Sequence, residues 1–334
     1  MLSTTALPVV DLRDDPDALR TRLREAAHEM GFCYLIGHGV AEPLVGEVLD
    51  VARRFFALPQ AEKDAIAMVR SPHFRGYTRL GGELTHGAVD WREQIDIGPE
   101  RAPVGGPGQP EYLWLQGPNQ WPPRLPQLRA VMAEWNAAMS AVARALLRHW
   151  AVALGSASDV FDAAFADAAA TLIKIVRYPA HAATSQGVGA HRDAGVLTLL
   201  LAEPGSRGLQ VRRPRWRDDE DGWIDVPAVD GAFIVNIGEL LEVATGGYLR
   251  ATEHRVLLRE PSRERISVPY FFNPGLDAQI PVLKLPPELA AQARLHADPA
   301  DPIFSVYGRN AWKSRLRAHP DVAAAHGYSP RLNN

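Results

Sequence analysis

The stretch GVGAHRDAGVLTLLL, residues 187–201, sets a histidine and an aspartate two positions apart, just ahead of an apolar run. If His191 and Asp193 open one strand with Val196, Leu197, Leu199, Leu200 and Leu201, their i, i+2 spacing points both side chains to one face. A stiff, buried scaffold would then present two polar groups together. Such a pair is either the first two ligands of a metal ion or a hydrogen-bonded couple, and the surrounding sequence has to decide.

Around this stretch the periodicity is that of short strands. TLIKIVRY, GVLTLLLA, GLQVRR, GWIDVP, GAFIVNI, HRVLLRE and RISVPYFF follow one another from residue 171, separated by Gly, Pro or charged turns. That spacing predicts a sandwich, jelly roll or barrel. RRPRWRDDEDG (212–222) is dense in charge of both signs and reads as a solvated hairpin tip. Towards the N-terminus, LPVVDL and GFCYLIGHGV read as strands, Asp14 or Asp15 before Pro16 as a helix start, and residues 42–58 and 60–69 as helices. Residues 101–124, rich in Pro and Gly, read as a long surface loop. Leu128, Val131, Met132, Trp135, Met139, Val142 and Leu146 then form the apolar stripe of a core-packing helix. YGRNAWKSRLRAHP predicts a last helix. The expected fold is α+β, a β-core flanked by helices from both ends.

Bulk properties exclude several roles. The 334 residues are 46% apolar, enough for a sizeable core, and a net charge of −3 argues against a nucleic-acid surface. Cys33 is the single cysteine, which rules out an intrachain disulfide or a zinc–thiolate cluster. The N-terminal residues lack the pattern of a signal peptide, and no apolar run has membrane-spanning length. A soluble cytoplasmic protein is expected, not a membrane protein.

The chemistry begins with a third residue. Of 11 histidines, most should be structural, but His254 opens the later run EHRVLLRE. Two histidines and one carboxylate on rigid strands make a facial triad, the pattern of non-haem Fe(II) oxygenases, in which coordination positions stay open for O2 and a co-substrate. RERISVPYFF (263–272) then places Arg265 and Ser267 on one strand face, where a guanidinium fork and a hydroxyl can clamp a carboxylate. Counting on by twos gives Pro269, Phe271 and Asn273 on that face, provided no bulge flips the register. Pro269 lacks a ladder donor and suggests an edge or a bulge. Lys174 is expected on one face with Val176 and Tyr178. Pointed inward, it needs an anionic partner, such as a substrate carboxylate; the alternative is an outward, solvated lysine. Lys174, Phe271 and Asn273 are therefore the candidate substrate residues.

Together these motifs resemble the isopenicillin N synthase-like branch of the Fe(II)/2-oxoglutarate-dependent oxygenases. The similarity covers nearly the whole chain: LPVVDL, GFCYLIGHGV, GYTRLGGELTHGAVDWREQIDIG, RYP, HRD, GLQV, GAFIVNIGELLEVATGGYLRATEHRV and RISVPYFFNP occur in family order. The resemblance implies a double-stranded β-helix, or jelly roll, wrapped by helices. It implies Fe(II) held by His191, Asp193 and His254, and 2-oxoglutarate held at its distal carboxylate by Arg265 and Ser267, with Tyr178 assisting near the metal. It implies oxidation, by default hydroxylation, of a small organic molecule with O2, giving succinate and CO2. One oxygenase domain, 1–334, is expected: residues 1–125 shape the pocket mouth, chiefly through 75–96, residues 170–275 form the catalytic core, and residues 300–334 carry the C-terminal helix.

Besides Pro269, two positions depart from the common pattern. Val176 stands where plant relatives often carry asparagine, and Arg192 fills the variable middle of the HxD motif, where it should point away from the metal. Two other readings stay open. An isopenicillin N synthase-type oxidase would use the same residues without 2-oxoglutarate, and a non-catalytic metal-binding jelly roll would need no clamp. Halogenation is disfavoured because Asp193 is retained.

Overall fold

The computed structural model describes residues 7–329 except 107, 167–168, 181–183, 214–221, 259–262, 296–297 and 300. In chain order the first half contains β1 (Val9–Asp11), α1 (Pro16–Glu29), β2 (Phe32–Ile36), α2 (Glu42–Phe56), α3 (Gln60–Ala65), β3 (Gly76–Thr78), β4 (Leu84–Thr85), β5 (Ala88–Val89), β6 (Glu93–Ile97) and α4 (Gln127–Ala153). The second half contains β7 (Leu172–Tyr178), β8 (Gln186–His191), β9 (Leu197–Ala202), β10 (Leu209–Arg212), β11 (Trp223–Asp225), β12 (Phe233–Ile237), α5 (Glu239–Ala244), β13 (His254–Leu257) and β14 (Arg265–Phe272). Three helices follow: α6 (Pro287–Ala290), α7 (Tyr307–Ala318) and α8 (Pro320–Ala325). Asp15 caps α1 by accepting from the amides of Asp17 and Ala18, ahead of Pro16. Most of the charged hairpin tip expected at 212–222 lies outside the described residues.

An eight-stranded sheet runs in the order β1-β2-β12-β9-β14-β7-β6-β3, and a four-stranded sheet in the order β11-β10-β13-β8. Among the described strands of these two sheets, only β1 and β2 pair in parallel; the other neighbours are antiparallel. The larger sheet draws β1, β2, β3 and β6 from the first 97 residues, so the N-terminal region supplies half of its strands. The two sheets face each other, and helices cover the outer face of the larger one, which is the α+β jelly-roll architecture.

Period-2 alternation gives that larger sheet two chemically different faces. Leu197, Leu199, Leu201, Phe233, Val235, Ile237, Val268, Tyr270 and Phe272 point outward and join one buried core with Trp135, Met139, Leu146 and Trp150 of α4. The opposite face, turned to the smaller sheet, includes Phe32, Tyr34, Ile234, Val176 and Tyr178, packed with Val188, Leu209, Val211 and Val256. Thr198, Asn236, Lys174, Arg265 and Ser267 occupy positions of the same inward parity and are buried. The inward face thus carries the buried polar residues, and the outward face carries the apolar packing.

Pro269 corrects the expectation of an edge or a bulge. β14 lies inside the sheet, between β9 and β7. Its ladder with β9 is unbroken from Ser267↔Ala202 to Phe272↔Leu197, while its ladder with β7 skips from Ser267↔Val176 to Tyr270↔Ile173 without changing register. In an antiparallel strand one residue's N–H and C=O point to the same neighbour. The missing proline donor therefore interrupts one side only, and Phe271 keeps the facing of Arg265 and Ser267.

Phe272 is fully buried and stacks on Phe165 with ring centroids 4.5 Å apart. Phe272→Ala is expected to lower unfolding free energy by about 3–5 kcal/mol. Urea denaturation followed by circular dichroism checks this, with an unchanged m-value.

Candidate active site

His191 and His254 are direct partners across β8 and β13 of the smaller sheet, with ring centroids 4.3 Å apart. Asp193 Oδ1 lies 3.6 Å from His191 Nε2 and 3.8 Å from His254 Nε2. The ligand atoms of the three residues all fall within 4.8 Å of one another, the spacing of a metal-binding group. The reason they converge differs from the expected one. His191 ends β8 and Asp193 lies beyond it, in the connection to β9. The two residues do not share a strand: the chain leaves one sheet at His191 and enters the other at Leu197, and Asp193 sits in the crossing. Arg192, between them, is exposed.

Both imidazoles are held in one tautomer. His191 Nδ1 contacts the Gly189 carbonyl at 2.9 Å and His254 Nδ1 the Thr252 carbonyl at 3.1 Å. A carbonyl only accepts, so each Nδ1 carries the hydrogen, and the Nε2 lone pairs face the centre. Burial pushes the His254 imidazole down to about 4, helped by neighbouring His191. Burial acts the same way on His191, but the adjacent Asp193 carboxylate, with the Gly189 carbonyl on Nδ1, outweighs it and raises the imidazole pKa. For Asp193, burial favours the neutral acid; His254, His191 and Thr198 override this and hold the carboxyl well below its usual range.

Asp193 is also tied to the larger sheet. Thr198 Oγ1 donates to Asp193 Oδ2 at 2.7 Å, and Asn236 Nδ2 donates to the same oxygen at 2.8 Å. Thr198 and Asn236 are themselves partners across β9 and β12. The main chain follows suit: the Glu239 amide donates to the Asp193 carbonyl at 2.8 Å, and the Leu240 amide to the Gly195 carbonyl at 3.0 Å. Neither Thr198 nor Asn236 was among the sequence candidates. The signal was present, because each is a lone polar residue in an otherwise apolar strand, LTLLLA or FIVNI, and buried polar groups need partners.

Arg265 is opposite Tyr178 on β7, and its guanidinium lies 4.9 Å from the centre of the Tyr178 ring. It is 7% exposed. Its Nε and Nη1 find no hydrogen-bond partner among the described residues, and burial lowers its pKa. A buried cation with unsatisfied donors is costly until an anion joins it. Ser267 is the next inward residue of the same strand. A dicarboxylate reaching from the histidine–aspartate centre to this guanidinium fits that donor set.

Phe271 lies directly opposite Thr198, the residue bonded to Asp193, so the two side chains share the inward face. Asn273 is buried, and its Oδ1 accepts from the Val196 amide at 3.1 Å. A Cβ on Gly195 would collide with that oxygen, which explains glycine there. Lys174 is buried rather than outward and solvated, and its anionic partners come from the chain itself. Its Nζ lies 2.6 Å from Glu83 Oε1 and 3.7 Å from Asp96 Oδ2. Arg92 joins Glu83 at 2.9 Å, and Arg315 of α7 joins Asp96 at 2.6 Å. The nearby imidazole of His319 is pushed down to about 4 by burial. Residues 83–96 thus close one side of the inward face with an ionic cluster that reaches the C-terminal helices.

Among the described residues, no helix is long and apolar enough to cross a membrane. Two family models match: residues 7–124 match the N-terminal region of non-haem dioxygenases described for morphine synthesis, and residues 170–274 match the 2OG-Fe(II) oxygenase superfamily. The chain is 34% identical to the 2-oxoglutarate-dependent dioxygenase frbJ of Dothideomycetidae sp. (strain 11243), over 99% of this chain and 94% of that one. It is 33% identical to a homoarginine-6-hydroxylase of Glycine max, over 83% and 88% of the two chains. Among solved structures, a 2OG-Fe(II) oxygenase family protein from Caulobacter crescentus superposes with a TM-score of 0.74 at 25% identity, covering 94% of this chain and 99% of that one. A dioxygenase for auxin oxidation from Arabidopsis thaliana, solved as a binary complex with 2-oxoglutarate, shares the fold, with a TM-score of 0.63 at 21% identity over 86% and 100%. The activity that accompanies this relationship is oxidation of a small organic molecule with Fe(II), 2-oxoglutarate and O2, so the readings without 2-oxoglutarate or without catalysis fall away. The chain belongs to the Fe(II)/2-oxoglutarate-dependent oxygenase superfamily, in its isopenicillin N synthase-like branch.

Proposed function

We propose that His191, Asp193 and His254 hold the Fe(II), that Arg265, with Ser267 and Tyr178, receives the distal carboxylate of 2-oxoglutarate, and that the enzyme hydroxylates a polar, charge-bearing small molecule. The observation that carries the co-substrate assignment is the buried Arg265 guanidinium, whose Nε and Nη1 lack partners among the described residues. Bound Fe(II) with 2-oxoglutarate supplies the oxidising power for inserting oxygen from O2 into a C–H bond. The chain's own residues do the positioning. The Gly189 and Thr252 carbonyls fix the imidazoles, Tyr178 covers the guanidinium, and the walls around Phe271 exclude water from the reacting end. Charge-assisted bonds gain strength in such a dry site.

The substrate class follows from the wall beyond Phe271. Glu83, Asp96, Lys174, Arg92 and Arg315 present both signs of charge there, which suits an amino-acid-like substrate better than a flat hydrocarbon. Homoarginine-6-hydroxylases of Glycine max, Arabidopsis thaliana and Oryza sativa are among the relatives, which supports this reading. Lys174, Phe271 and Asn273 are then substrate-side residues, with Lys174 acting through its ionic cluster and Asn273 through the turn at Gly195. We read residues 1–334 as one catalytic unit, with 1–125 at the mouth, 170–275 as the core and 300–334 bracing the far wall. A buried single cysteine and a net charge of −3 fit a cytoplasmic enzyme acting on small molecules rather than nucleic acid.

Succinate formation tests the proposal. With Fe(II) and 2-oxoglutarate, L-homoarginine or L-arginine is expected to stimulate succinate release, and an uncharged aromatic compound is not; equal response to all of them removes the substrate class. His191→Ala should abolish succinate release while leaving the circular dichroism spectrum native. Arg265→Lys keeps the charge but loses the fork, and the KM for 2-oxoglutarate should rise roughly tenfold or more, as expected for losing about 1.5–3 kcal/mol of charge-assisted bonding. Arg265→Leu should leave Mn(II) affinity, measured by calorimetry, near that of the wild type.

A further inference from the structure

We infer that Thr198 and Asn236 are positioning residues that reserve one oxygen of Asp193 for the metal and withhold the other. The inference rests on the assignment of His191, Asp193 and His254 as the metal centre. The geometry divides the carboxylate cleanly. Oδ1 faces His191 Nε2 and His254 Nε2 at 3.6 and 3.8 Å. Oδ2 receives Thr198 Oγ1–H at 2.7 Å and Asn236 Nδ2–H at 2.8 Å. Both donors are buried and stand opposite each other on adjacent strands inside the sheet, so paired backbone carries both to the same oxygen.

The arrangement matters because a carboxylate can bind a metal through one oxygen or through both. A metal held by one donor atom from each of the three residues would keep positions free for a chelating 2-oxo acid and for O2. If Oδ2 also bound the metal, one of those positions would be lost. Two charge-assisted hydrogen bonds on Oδ2 oppose this, and they also spread the charge of a buried carboxylate. Placing a hydroxyl and an amide in apolar strands is unfavourable unless they are paired; the partner both share is this single oxygen.

The test uses full-length protein carrying Thr198→Val, Thr198→Ser or Asn236→Leu. Thr198→Val is close to isosteric and β-branched, so it suits the strand and carries the test even if Asn236→Leu fails to fold. Mn(II) affinity is measured by calorimetry, and the visible spectrum of the Co(II)-loaded protein is recorded at saturating metal with and without 2-oxoglutarate. The expected result is a 10- to 100-fold loss of Mn(II) affinity in Thr198→Val, the range typical of residues that orient metal ligands. The Co(II) bands should weaken as coordination number rises, and 2-oxoglutarate should bind the Co(II) protein less tightly. Thr198→Ser, which keeps the hydroxyl, should restore all three. A Thr198→Val protein with wild-type Mn(II) affinity and an unchanged Co(II) spectrum overturns the inference, whatever its melting temperature, because the contacts then serve packing alone. Wild-type protein that binds no Mn(II) overturns the metal-centre assignment instead, and the inference falls with it.

Discussion

One carboxylate is joined to both sheets of this molecule. Asp193 sits where the chain crosses from the smaller sheet to the larger, facing two imidazoles on one side and accepting from Thr198 and Asn236 on the other. An ionised acid buried at such a junction is tolerable only when hydrogen bonds and opposing charges compensate for lost water. The surrounding architecture meets that demand. β9 and β12 bring Thr198 and Asn236 to one oxygen, the start of α5 donates to the Asp193 carbonyl, and Gly195 lets Asn273 close on the turn. The turn's polar groups thus have specific partners.

The same economy separates stability from chemistry. Side chains turned outward from the larger sheet are almost uniformly apolar and merge with α4, where Trp135 and Trp150 are fully buried. Side chains turned inward include the charged and hydroxylated ones. Since neighbouring residues of a strand serve opposite faces, each strand of the core contributes to both tasks without compromise between them. This division lets Pro269 sit mid-sheet: its outward neighbours Val268 and Tyr270 keep the packing, and the lost donor affects one ladder only.

Much of this is legible in the chain itself. The alternation in RISVPYFF and FIVNI located the strands and their inward residues, and the HxD spacing located His191 and Asp193. The two residues do not share a strand; a two-residue step also fits a strand end followed by a turn, and Gly195 marks that turn. Thr198 and Asn236 are harder to read, because a single polar residue does little to disturb an apolar pattern. The partners of Lys174 could not be read at all: Glu83 is separated from it by 91 positions and Arg315 from Asp96 by 219. Local periodicity carries no information about pairings at that range; only the sheet order brings them together.

That long span also sets the order in which the molecule is finished during synthesis. His191, Asp193 and His254 lie close enough in the chain to meet once β13 has been made. Asp96 must wait for Arg315, close to the C-terminus, before its last ionic partner exists. On the ribosome, these three residues can therefore come together while the charged wall beside them still lacks Arg315. A chain ending before residue 315 would carry the buried Asp96 short of this partner.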